Sequence, residues 1–134
     1  MSEIIVDELT GKTSAGDITV TSEGGAATMQ LQQGLAKCWF NLNGTGTPAF
    51  RDSINMSSVT DNSTGDYQPN INSNMTNANY VPSANADGTG FTVAAFTSNT
   101  DLRTTSALRI FACDNNATKV DWSALLYVIH GDLA

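Results

Sequence analysis

His130 is the single histidine of this 134-residue chain, and the thiols Cys38 and Cys113 are its two cysteines. Nucleophilic catalysis needs a Ser, Thr or Cys within reach of a base. His130 lies in an apolar run, Leu125 to His130, whose strand character points to an exposed or interface residue rather than to a base. The two cysteines lack a CxxC spacing or a clustered histidine, so neither zinc nor a redox pair is indicated. They read as small apolar core residues, with a disulfide between them as the alternative.

Seven aspartates, Asp52, Asp61, Asp66, Asp87, Asp101, Asp114 and Asp121, fall mostly in Asn-, Ser- and Gly-rich stretches. There the Asx hydrogen bond to the following backbone accounts for them, and no spacing singles out a glycosidase pair. The run DNSTGD offers oxygens at Asp61, Asn62, Ser63 and Asp66, but it lacks the alternating pattern and closing bidentate Glu of a calcium loop. NGTGT, from Asn43 to Thr47, has two glycines without the Lys or the strand-to-helix setting of a phosphate cradle. The reading is therefore of a non-enzymatic chain with no cofactor and no metal.

The elements that would position these residues are short. Charged residues are only 14% of the chain, so its polar surface is made by Asn, Thr, Ser and Gln. A formal charge of -7 disfavours nucleic-acid and anionic-membrane partners. The longest late apolar run, Ala124 to Ile129, is too short for membrane insertion, and the acidic opening MSEIIVDELT is unlike a signal peptide, implying synthesis in a cytoplasm.

Helical periodicity is nearly absent, and short β-branched runs alternate with turn-forming clusters. The expected strands are Ile4 to Leu9, Ile18 to Thr21, Cys38 to Leu42, Ala49 to Met56, a hairpin from Val59 through DNSTGD to Ile71, Ala78 to Pro82, Phe91 to Thr97, Ser106 to Cys113, and Trp122 to His130. Thr28 to Lys37 reads as a connector. This pattern predicts an all-β fold: an antiparallel β-sandwich, jelly-roll-like or a small barrel, over residues 36–134. Residues 1–35 form a thin N-terminal β arm or shaft that cannot bury its own apolar residues. Tyr67 and Tyr80 sit near turn ends and are expected at the surface, while most other aromatic residues, Trp39 among them, are expected in the core.

The stretch LAKCWFNLNGTGTPAFRDSINMSSVTDNSTGDYQPNI, from Leu35 to Ile71, resembles a family of bacteriophage virion proteins, the tail-fibre and tail-appendage proteins of marine and other environmental phages. NANY at Asn77 to Tyr80, the closing YVIHGDLA and the opening IIVDELTGKTSAGDITV are also similar. Cys38, where a small residue is common, and the apolar end Leu125 to His130 depart from the pattern.

The resemblance implies a virion structural protein, a fibre or knob of the tail or head that forms a homotrimer, contacts other virion proteins and reaches a host-surface receptor. On this reading Ile4, Ile5, Val6, Ile18 and Val20 serve oligomer or virion attachment, and the turn residues Asn62, Asp66, Tyr67 and Asp87 face the receptor. A capsid decoration or cement protein is the alternative, since a thin arm can add strands to capsid edges. A depolymerase would need a carboxylate pair that the sequence does not nominate.

Overall fold

The computed structural model describes residues 4–14, 17–87, 93–95 and 102–134. The chain divides into two compact units, Met1–Leu35 and Ala36–Ala134. The first has little regular structure. Strands β1 (Thr19–Thr21) and β2 (Thr28–Gln30) pair antiparallel, with Val20 opposite Met29. Their turn is closed by Ser22 N–H donating to Ala27 O at 2.8 Å and Gly25 N–H to Ser22 O at 2.8 Å, with Gly25 at φ 71°. A single helical turn, α1 (Leu31–Gly34), follows directly.

Two sequence expectations change here. Ile4 to Leu9 forms no strand: its backbone takes no ladder partner among the described residues. The Thr28–Lys37 connector is instead half strand and half helical turn. Its alternating Met29 pairs across the hairpin, and the Gln-rich piece after it coils.

The second unit is an all-β antiparallel sandwich. In chain order its strands are β3 (Cys38–Asn43), β4 (Ala49–Ile54), β5 (Met56–Ser63), β6 (Asp66–Ile71), β7 (Val81–Asp87), β8 (Val93–Ala95), β9 (Ile110–Cys113) and β10 (Ala124–His130). One sheet has the order β4-β3-β10-β7 and the other β5-β6-β9-β8. Period-two alternation decides which side chains go inward. Along β3, Cys38, Phe40 and Leu42 are buried while Trp39, Asn41 and Asn43 face away; along β10, Leu125, Tyr127 and Ile129 are buried. The opposite sheet contributes Tyr67, Ile71, Ile110 and Ala112.

Phe40 and Tyr127, cross-strand partners, stack with ring centroids 4.9 Å apart, and Phe50 leans on Phe40 at 5.4 Å. Offset aromatic contacts of this kind add about 0.5–1.5 kcal/mol beyond the area they bury. Burial pushes the Tyr127 phenol up from its ordinary pKa.

The expected strand Ala49 to Met56 is broken at Asn55. This residue takes a left-handed backbone, φ 57°, and carries the chain from β4 in one sheet to β5 in the other. Asn tolerates that conformation better than other side-chain-bearing residues. Its amide also locks the crossing: Oδ1 accepts from Ser73 N–H at 2.7 Å and Nδ2 donates to Ser73 O at 3.1 Å. Nδ2 lies 3.4 Å from Cys38 Sγ as well.

The expected strand at Ala78 to Pro82 also shifts. Val81–Asp87 is the strand, and Tyr80 is buried just before it, donating its hydroxyl to Ala107 O at 2.9 Å. Only Val93–Ala95 of the expected strand Phe91 to Thr97 falls within the described residues.

Replacing Asn55 tests whether this crossing limits stability. Asn55→Ala keeps the unfavourable φ and removes two bonds to Ser73, so a loss of about 2–3 kcal/mol is expected in urea unfolding. Asn55→Gly, which relieves the backbone but not the missing bonds, should lose less.

Candidate functional site

Two constellations of side chains stand out in the sandwich: a polar knot at the end of the β5–β6 hairpin, and an outward apolar face on the other sheet. The knot is centred on Asp66, 2% exposed at the first position of β6. Arg109 grips it with both arms, Nε on Oδ1 at 2.7 Å and Nη2 on Oδ2 at 2.8 Å, and Lys119 Nζ donates to Oδ2 at 2.8 Å. Both cations also lie over the Phe111 ring, Lys119 Nζ 4.0 Å and the Arg109 guanidinium carbon 5.5 Å from its centroid. Burial by itself raises the Asp66 carboxyl. The hydrogen bonds and charges of Arg109 and Lys119 outweigh it and hold the group below the ordinary carboxylate range.

The next residue, Tyr67, is fully buried. Its hydroxyl donates to Asp121 Oδ1 at 2.5 Å and is 3.0 Å from Gly44 O. The same Asp121 oxygen accepts from Gly65 N–H at 2.6 Å. Burial first, and the Asp121 carboxylate second, push the Tyr67 phenol well above its usual pKa. The glycines here are dictated by space. A Cβ on Gly65, at φ 61°, would lie 2.5 Å from Ala112 O, and one on Gly44 would lie 2.6 Å from the Tyr67 hydroxyl oxygen.

The expectation that Asp66 and Tyr67 face a receptor is thus corrected: both point inward. The hairpin end folds onto β9 and the loop around Lys119 to Trp122, because that is where counter-charges and a phenol acceptor wait. Tyr80, expected at the surface, is buried for the same kind of reason. Asn62 is exposed and donates to Asp66 Oδ1 at 3.4 Å. Asp87 ends β7, and its side chain lies outside the described residues.

Of the residues assigned to attachment, Ile4, Ile5 and Val6 are 83%, 84% and 53% exposed. Val20 is exposed too, whereas Ile18 is half-buried and its carbonyl accepts from Leu31 N–H at 2.7 Å.

Chemically the knot holds rather than reacts. A carboxylate kept ionised by two cations is a weak base, and a phenol with a raised pKa is a weak acid near neutral pH. Cys38 and Cys113 are both free thiols; burial pushes the Cys38 thiol up, away from the reactive thiolate. His130 is exposed at the end of β10. Among the described residues no three His, Cys, Asp or Glu side chains gather as a metal site would.

The second constellation lies on the outer side of β4-β3-β10-β7. The ladder register places Trp39 beside Ile54 on one flank and Val128 on the other, and Leu126 between Asn41 and Asn85. Trp39, Asn41, Ser83, Asn85, Leu126 and Val128 line a shallow trough of about 520 Å³. Trp39 was expected in the core, yet the alternation of CWFNLN already separates it from Phe40. Arg109 and Lys119 carried no sequence signal, because their partner Asp66 lies 43 and 53 residues away in the chain.

Comparison with protein-family models, curated proteins and solved structures finds no match for this chain.

Breaking the knot should cost stability in a pH-dependent way. Asp66→Asn removes the charge but leaves Arg109 and Lys119 with side chains 38% and 39% exposed, free to turn to water. The expected loss is therefore about 2–3 kcal/mol at pH 7, below that for a fully buried pair. The folded-state pKa of Asp66 is lowered, so its contribution is complete above the unfolded value near ~4 and fades as pH falls through the folded one. Urea midpoints of the wild-type chain and of Asp66→Asn should converge as the pH is taken below about 4.

Proposed function

We propose that this chain is a non-enzymatic structural protein of a bacteriophage virion, a fibre or knob component that projects from the particle and contacts a host surface. The observation that carries the reading is the contrast between the two units. The first exposes Ile4, Ile5, Val6 and Leu9 along a stretch with no strand pairing, while the second is a closed sandwich whose polar cluster is satisfied internally. A segment that leaves so much apolar side chain in water is stabilised by copies of itself or by another virion protein. The resemblance of Leu35 to Ile71 to tail-fibre proteins supports the same reading.

The polar, low-charge surface made by Asn, Thr and Ser is in keeping with it, because such a surface can pack in a particle without desolvating many charges. The second reading, a capsid decoration protein, is favoured by the arm alone, since an extended apolar segment can add to a shell edge as well as to a fibre.

Counting copies of the chain in purified particles by quantitative mass spectrometry separates the readings. Tens of copies or fewer are expected for a fibre and hundreds for a decoration protein; absence from the particle overturns both.

A further inference from the structure

Asn43–Gly44, at the start of the turn between β3 and β4, is the single Asn-Gly pair of the sequence. That pair has a chemistry of its own. The amide nitrogen of the second residue can attack the side-chain Cγ of the first, and glycine, lacking a Cβ, hinders the attack least. A bond forms between Gly44 N and Asn43 Cγ, the Cγ–Nδ2 bond breaks, and the Gly44 amide proton leaves with Nδ2 as ammonia. Water then opens the succinimide ring at either carbonyl, giving aspartate or isoaspartate at position 43. Water is the only co-reactant.

The fold treats the two reacting groups oppositely. The electrophile is prepared. Asn43 Oδ1 accepts from Thr45 Oγ1 at 2.9 Å, from Thr45 N–H at 3.4 Å and from Arg51 Nη2 at 3.3 Å, while Nδ2 donates to Thr45 O at 3.1 Å. Attack at Cγ drives negative charge onto Oδ1, and donors already aimed at that oxygen, one of them cationic, stabilise it.

The nucleophile is withheld. Gly44 is buried just past the end of β3, and its N–H donates to Trp122 O at 3.0 Å. The Tyr67 hydroxyl closes the space beside it, so tightly that a Cβ on Gly44 would lie 2.6 Å from the phenol oxygen. Asp121, which accepts from that hydroxyl, anchors the segment carrying the Trp122 carbonyl.

We infer that Asn43–Gly44 is a deamidation site gated by this polar cluster: ring closure waits until the Tyr67–Asp121 contact opens and the Gly44 amide comes free. Local opening of this kind precedes global unfolding. The two products then differ. Aspartate at position 43 keeps the main chain and sets a carboxylate where Arg51 already reaches the amide oxygen. Isoaspartate inserts one more carbon into the main chain, so Gly44 no longer meets Trp122 O and the turn cannot redock. The modification is an irreversible record that the cluster has opened, whatever the role of the chain in a particle.

The test is peptide-mapping mass spectrometry of the full chain held in warm, mildly alkaline buffer, following conversion at Asn43. The folded wild-type chain should convert at least roughly tenfold more slowly than the same chain in urea. Tyr67→Phe, which removes the hydroxyl contact with Asp121, should raise the folded-state rate roughly tenfold, and Asp121→Asn, a milder change at the same contact, should act in the same direction. Asn55→Ala weakens the opposite corner without touching this turn, and should leave the rate unchanged although it lowers global stability. Arg51→Ala should slow the folded chain roughly threefold and leave the rate in urea as it was, a modest effect because Arg51 is exposed. No conversion at Asn43 in urea, or equal rates folded and in urea, overturns the proposal. So does an Asn55→Ala chain accelerated as much as Tyr67→Phe, or a folded-state rate that neither Tyr67→Phe nor Asp121→Asn changes. An Arg51→Ala chain converting at the wild-type rate overturns the activating part played by the contacts on Asn43 Oδ1.

Discussion

The buried carboxylate of Asp66 ties together parts of the chain that have no other reason to meet. Its ion pairs join β6 to Arg109, just before β9, and to Lys119 in the loop before β10. Isolating such a charge without partners would be prohibitive, so the hairpin end must dock where Arg109 and Lys119 can reach it. One residue later, Tyr67 inserts its ring into the core and donates a hydrogen bond from its hydroxyl to Asp121, which also fixes the Gly65 backbone. The Gly44 amide donates to Trp122 O, so the β3–β4 turn is drawn into the same cluster. Register in both sheets is thereby pinned at one end of the sandwich by polar contacts, while the aromatic stack of Phe40 and Tyr127 fills the middle.

Asn55 does the complementary work at the other end of the hairpin. A sandwich needs the chain to leave one sheet and enter the other, and the change of direction between β4 and β5 takes a single residue of left-handed backbone. The amide that stabilises this bend binds the segment after β6, so the bend and the hairpin return are held by one side chain. The sheets are therefore joined by geometry and hydrogen bonding at their corners and by apolar packing between them.

With the core closed inward and the knot satisfied, what remains for recognition is outside. The first unit offers an apolar segment without strand pairing, and the first sheet of the sandwich offers an apolar outer face. Both leave apolar side chains in contact with water, and neither brings a nucleophile and base together among the described residues. This is the physical content of the structural reading of the chain.

Much of the fold was legible in the sequence because strand periodicity is local. The alternation in CWFNLN and ALLYVIH sets the inward residues of β3 and β10, and the small polar cluster DNSTGD marks a tight reversal between two β-branched runs. The boundaries that moved, at Asn55 and Tyr80, are places where a long-range partner overrides local preference: Ser73 for the first, Ala107 for the second. The candidate site was less legible. Alternation alone separates Trp39 from the core, but whether its face is covered depends on strand order, which no local pattern encodes. Asp66 and Tyr67 look like surface turn residues by type and become buried because Arg109, Lys119 and Asp121 arrive from more than 40 residues away. Sequence determined the strands, the turns and the scarcity of reactive groups; only tertiary structure decided which polar side chains are neutralised inside, because burying a charge depends on partners brought together by the whole fold.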